Sequence, residues 1–210
     1  MNLLNFSPLI IGQSKIKGFR ENLKEWYCDY SFDYKTGLTT GELNGKILVH
    51  KDKRFRPFFS SVSKKVEEYL DSFNFNRELF DIHILKTWYA LCDNEFDIPF
   101  HNHSCSHISF VYYIDVKHDD PLIFEVDNPN EWFGDAFSFV KESNTTNSWR
   151  YGVQVQNEDL LIFPGKIKHG TLTDRNYVRM SLAGDIILTL KENILDAESG
   201  FIPVKYWETF

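Results

Sequence analysis

From residue 80 onward the sequence is a succession of short apolar runs bounded by Gly, Pro, Asn or Asp, and that pattern leaves few architectures open. Candidate strands fall at 82–91, 107–116, 121–126, 136–140, 150–156, 159–163, 168–173 and 177–190. Runs of this length, rich in Val, Ile, Phe and Tyr, read as half-buried or fully buried strands. Eight such strands after a helical segment predict a mainly β fold with flanking α-helices, an antiparallel barrel or sandwich with the helices packed on one side. The 19 Phe and 10 Tyr fit this, because flat rings suit a pleated, half-buried surface.

The N-terminal part reads differently. Ile16, Phe19, Leu23, Trp26 and Tyr27 recur at steps of three and four, which predicts a helix over 14–27 with Ser14 as its cap. Residues 29–58 are irregular, with a hairpin signal at Asn44-Gly45 between Leu43 and Ile47. Val62, Val66, Tyr69, Leu70 and Phe73 predict a second helix over 60–73, capped by Ser60 or Ser61. Both apolar stripes are read as core-facing. The organisation expected is one domain over 1–210: helical support and irregular chain to residue 80, a β-barrel core over 81–190, and a C-terminal extension over 191–210. The segments 127–135 and 141–149 read as loops, and Trp132, Phe133 and Trp149 in them, with Phe137 between them, suit a substrate-covering role.

A net charge of −7 argues against a nucleic-acid partner, since phosphate binding needs a clustered basic surface. The longest basic cluster, Lys51 to Arg56, reads as a solvated loop. Cys28, Cys92 and Cys105 are odd in number and widely spaced, which suits a reducing, cytoplasmic setting rather than a disulfide framework. The first residues show no basic-then-apolar leader pattern, and no apolar run is long enough to span a membrane. The aromatic C-terminus fits packing on the barrel or a homodimer contact.

Three of the seven histidines lie in one stretch, His101-Asn102-His103-Ser104-Cys105-Ser106-His107, directly ahead of an apolar run. Side chains two apart on extended chain share a face, so His101 and His103 enter one cavity together. Much later a buried strand ends in Phe163-Pro164-Gly165, and His169 opens the next strand with Thr171 on its own face. Ten residues after His169 comes Arg179-Met180-Ser181, inside an apolar strand. A buried guanidinium requires an anion, and a hydroxyl on the same face makes the pair a carboxylate clamp. A structural ion pair of Arg179 with Asp174, Asp185 or Glu158 is the competing reading. His107 reads as a structural or supporting residue, and His50, His83 and His118 as ordinary histidines.

This ordered set resembles the iron(II)/2-oxoglutarate-dependent dioxygenase superfamily. It is similar in particular to the 2OG-Fe(II) oxygenase branch with a His-x-His motif, followed by Ser-x-Val-Tyr-Tyr, Phe-Pro, His and Arg-x-Ser. Here those are His101 to His103, Ser109 to Ile114, Phe163-Pro164, His169 and Arg179 to Ser181. The prolyl 4-hydroxylases are a more distant likeness. The resemblance covers about residues 82–190 and implies a double-stranded β-helix, a jelly-roll or cupin-like barrel. It implies Fe(II) as metal, with His101, His103 and His169 as ligands, and 2-oxoglutarate and dioxygen as co-substrates. Arg179, Ser181 and Tyr113 would bind the far carboxylate of 2-oxoglutarate, and Trp88 and Thr171 would line its pocket.

One position departs from the pattern. His103 stands where the superfamily usually has a carboxylate, so the ligand set is one negative charge short. Glu125 or Asp127 are candidates for a replacement carboxylate, and three imidazoles also suit Zn(II) or Cu(II). The activity implied is hydroxylation of an unidentified small molecule or protein side chain, with release of succinate and CO2. The alternatives are a cupin-like three-histidine metalloprotein that does not use 2-oxoglutarate, and a non-catalytic, metal-stabilised β-barrel binding module with His107 as fourth ligand.

Overall fold

Two antiparallel sheets face each other, and their strand order carries the fold. The computed structural model describes residues 9–29, 48–93, 97–117, 120–127, 141–142, 144, 146–172, 177–194 and 203–208. The strands among them are β1 (Gly12–Lys15), β2 (Phe80–Cys92), β3 (Ile108–Asp115), β4 (Leu122–Glu125), β5 (Arg150–Val153), β6 (Asp159–Pro164), β7 (Lys168–Gly170) and β8 (Arg179–Leu190). The larger sheet runs β1-β6-β3-β8-β2 and the smaller β5-β4-β7. Every pairing of named strands is antiparallel. This is the double-stranded β-helix arrangement, in which two curved sheets enclose a cavity. The expected strand at 136–140, the hairpin at Asn44-Gly45, Trp132, Phe133, Phe137 and His118 lie outside the described residues.

Alternation along the strands gives the larger sheet two different faces. Tyr89, Phe110, Tyr112, Leu182 and Ile186 pack on one side against Phe58, Val62 and Val66 of helix α2 (Arg56–Asp71). The rings of Phe58 and Tyr112 meet edge-to-face with centroids 4.9 Å apart. Each such side chain contributes about 1.5–3 kcal/mol by leaving water, so the helix anchors the back of the sheet. The intervening residues of the same strands are left to face the cavity.

The N-terminal expectation needs correction. Residues 12–15 form a strand, and the helix α1 is only Arg20–Trp26. Edge pairing with β6 outweighs the helical spacing: Gly12 to Lys15 register against Ile162 to Asp159, and Lys15 bonds Asp159 at 2.9 Å. Gly18, at φ +88°, then breaks the extended run before the helix begins. Ser14 therefore caps nothing. Helix α2 begins a turn earlier than its apolar stripe suggests, because Pro57 fits its first turn and a 3-10 turn over Lys53–Phe55 leads into it. Asp52 caps that turn by accepting from the Arg54 N–H, while Ser60 and Ser61 lie inside the helix. Phe73 is 47% exposed rather than part of the buried face. No helix among the described residues is long and apolar enough to cross a membrane.

Candidate metal centre and anion clamp

Backbone contacts bring the three histidines together. His101 and His169 exchange two backbone hydrogen bonds, 3.0 and 2.9 Å, as an isolated antiparallel bridge. The His103 N–H donates to the Gly165 carbonyl at 2.7 Å. Two glycines permit this approach. A Cβ on Gly165 would meet the Ser106 hydroxyl, the Ser106 carbonyl at 2.7 Å and the His103 carbonyl at 3.1 Å. A Cβ on Gly170 would sit 3.0 Å from the Ile98 carbonyl and from the Phe100 ring. Thr171 fastens the same loop, its hydroxyl accepting from the Ile98 N–H at 3.0 Å and donating to Asp97.

One potential ligand atom from each of His101, His103 and His169 lies within 4.8 Å of the others. Their tautomers follow from their outer neighbours. The Nδ1 of His101 faces the Pro99 carbonyl at 2.8 Å, that of His169 the Ile167 carbonyl at 3.0 Å, and that of His103 the Asp185 carboxylate at 2.5 Å. Carbonyls and carboxylates only accept, so each Nδ1 carries the proton and each Nε2 holds a free lone pair. The Nε2 atoms of His101 and His103 are 2.9 Å apart. Two lone pairs at that distance repel unless a cation stands between them, and the donor set therefore fits a bound metal ion. Burial, with help from His101 and His103, pushes the His169 pKa down to about 3, so its ring is neutral as a metal requires.

Asp185 is a candidate partner of Arg179 in the competing reading from sequence. It does not pair with Arg179 but lies beside His103, where Ser109 donates to it at 2.7 Å and the Lys86 ammonium is 3.3 Å away. Burial opposes its charge, but the contacts from His103, Ser109 and Lys86 outweigh this and hold its pKa below the usual carboxylate value. The signal was present. Arg179, Ser181, Ala183 and Asp185 alternate along β8, and all four line the cavity. Glu125 is not a replacement ligand, because it is bound to Arg150 at 2.6 Å and Lys168 at 3.0 Å. Asp127 is not part of the histidine cluster. His107 is exposed, and its Nδ1 accepts from the Leu188 N–H at 2.9 Å, so it offers no fourth ligand.

The cavity, of about 410 Å3, extends from the imidazoles to Arg179. All eight residues singled out from the sequence border it: His101, His103, His169, Arg179, Ser181, Tyr113, Trp88 and Thr171. The Arg179 guanidinium lies 5.0 Å from the Tyr113 ring centroid, and register places Ser181 opposite Tyr113. The Tyr113 hydroxyl is fully buried with no acceptor among the described residues, and burial, against the pull of Arg179, pushes its pKa up to about 12, so it remains a donor. Arg179 also binds Asp120 at 2.7 Å, which sequence reasoning did not foresee. The Trp88 ring lies 5.5 Å from that of His103 and forms a wall.

The double-stranded β-helix thus gathers three convergent imidazoles and a buried guanidinium in one cavity. Residues 86–185 match the family model described as "Putative 2OG-Fe(II) oxygenase", so a little under half of the chain is similar to that family. A prolyl-4-hydroxylase from Pseudomonas putida shares the fold at 12% identity and a TM-score of 0.51, over 84% of this chain and 91% of its own. HygX from Streptomyces hygroscopicus, solved with nickel, 2-oxoglutarate and hygromycin B bound, gives 11% identity and 0.51, over 85% of this chain and 82% of its own. A 2OG-Fe(II) oxygenase family oxidoreductase from Burkholderia pseudomallei gives 12% and 0.43, over 59% of this chain and 51% of its own. The chain thus spans about half the length of that relative. No curated protein matches.

Proposed function

We propose that the protein is an Fe(II)- and 2-oxoglutarate-dependent hydroxylase, acting on an unidentified small molecule or protein side chain and releasing succinate and CO2. The observation that carries this reading is the convergence of three Nε2 lone pairs in the cavity that also holds Arg179. His101, His103 and His169 would hold Fe(II), leaving coordination positions open to the cavity. When bound, the iron and 2-oxoglutarate supply the oxidising chemistry with dioxygen. Arg179 would receive the far carboxylate of 2-oxoglutarate, and the buried Tyr113 hydroxyl beside it, which has no acceptor among the described residues, would donate to it. Ser181 would add a second hydroxyl, while Trp88 and Thr171 would wall the same pocket and exclude water.

The test is turnover of 2-oxoglutarate by the Fe(II)-loaded protein in air. Succinate formation that vanishes in His169→Ala and Arg179→Ala supports the reading. A stoichiometrically iron-loaded protein that forms no succinate overturns it. One observation favours a second reading, a three-histidine metalloprotein that does not use 2-oxoglutarate. The 2.7 Å pair with Asp120 already balances the charge of Arg179. Under that reading Arg179→Ala leaves metal-dependent activity in place.

A further inference from the structure

We propose that Asp185 is a positioning and charge-supplying residue of the metal centre, acting through His103. The inference rests on the reading of His101, His103 and His169 as metal ligands. Three neutral imidazoles give a metal no negative charge, whereas the usual facial set includes one carboxylate. A carboxylate is nevertheless present one bond further out. Asp185 is 1% exposed, and its Oδ1 accepts the Nδ1–H of His103 at 2.5 Å. Such a contact fixes the ring plane and the tautomer, and it makes the opposite nitrogen more basic. The histidine thereby carries part of the charge that it displaced as a ligand.

The placement is built rather than incidental. The β3–β8 register sets Ser109 directly across from Asp185, and the Ser109 hydroxyl donates to the same Oδ1 at 2.7 Å. Ser109 is itself steadied by Ser106, their hydroxyl oxygens 3.3 Å apart. The Lys86 ammonium approaches Oδ2 at 3.3 Å and keeps the carboxylate oriented while resting 4.7 Å from the Trp88 ring centroid. The Nδ1 atoms of His101 and His169 face backbone carbonyls, whereas that of His103 faces a carboxylate. The charge is therefore delivered at the one histidine that stands in the carboxylate position.

The test is anaerobic titration of the full-length apoprotein with Co(II), followed by calorimetry and by the ligand-field absorption of the bound ion. Asp185→Asn keeps an acceptor oxygen for His103 and removes the charge. Its Co(II) affinity should fall about 10- to 100-fold, with an altered absorption spectrum. Asp185→Glu keeps the charge and disturbs the packing more, so it guards against misfolding of the first variant. Affinity in the order wild type, Glu, Asn supports the proposal. An Asn variant that binds as wild type does, or binds better than the Glu variant, overturns it while leaving the three-histidine site intact. A wild-type protein that binds no Co(II) overturns the metal-site reading and this proposal with it.

Discussion

Arg179 and Asp120 form a nearly dry ion pair, with Nη1 2.7 Å from Oδ1 and side-chain exposures of 3% and 12%. The Tyr177 hydroxyl donates to the other carboxylate oxygen at 2.5 Å. Asp120 thus holds one edge of the guanidinium in place. Removing one partner of such a pair strands the other charge, at a cost of about 3–5 kcal/mol. Arg179→Ala should therefore lower the stability by that order, and Arg179→Ala with Asp120→Asn should recover part of it. Urea denaturation of the four proteins of the cycle measures this. Additive losses would show that the pair is not energetically coupled.

Tyr113→Phe separates stability from binding. The hydroxyl is buried and unpartnered among the described residues, and an unmet buried donor costs about 1–3 kcal/mol. Its removal should leave the unliganded protein as stable as wild type or more so. The KM for 2-oxoglutarate should rise several-fold in the same variant. Thermal melts and initial rates check the two halves, and a destabilised variant with unchanged KM would assign the hydroxyl a structural role.

Gly165→Ala places a methyl group against the Ser106 and His103 carbonyls, 2.7 and 3.1 Å from the new carbon. Backbone must move to accept it, at about 1–3 kcal/mol. The displaced segment carries His103, so metal affinity should fall together with the melting temperature. A variant that melts lower but binds Co(II) as wild type does would uncouple the turn from the metal site.

His50 gives a pH signature away from the metal ligands. Burial first, and then the Lys51 charge, lower its folded pKa below the model-peptide value of 6.5. Its ring Nδ1 meets the Thr87 hydroxyl at 3.1 Å. The unfolded chain takes up the proton first as pH falls below 6.5, so the contribution of His50 is complete above that value. It is lost as pH falls toward the lower folded pKa. His50→Gln should show a shallower loss of stability between pH 7.5 and 5.5 than wild type. Parallel curves from denaturant titrations at each pH would contradict the assignment.

Much of the site was legible because it depends on period two. The alternation that puts Ser181 beside Arg179 and His101 beside His103 is a property of extended backbone alone. Carried two steps further it reaches Asp185, but its partner is set by the β3–β8 register, which local sequence does not encode. The same holds for Asp120, whose approach to Arg179 is a contact between distant segments. At the N-terminus the three-and-four spacing of Ile16, Phe19 and Leu23 reads as a helix. All three do pack into the core, but Ile16 and Phe19 reach it from non-helical chain beside a strand that pairs with β6. The basic cluster, read as a solvated loop, instead forms 3-10 turns that lead into helix α2, and its Arg54 is bound by Asp29 and Asp52.

The most direct measurement is the anaerobic visible absorption of the protein titrated with Fe(II) and then 2-oxoglutarate. A metal-to-ligand charge-transfer band is expected only when both are present. It should be lost in His101→Ala and His169→Ala, and it should require much higher 2-oxoglutarate in Arg179→Ala. Binding of Fe(II) without any such band at saturating 2-oxoglutarate would contradict the assignment of this cavity as a 2-oxoglutarate site.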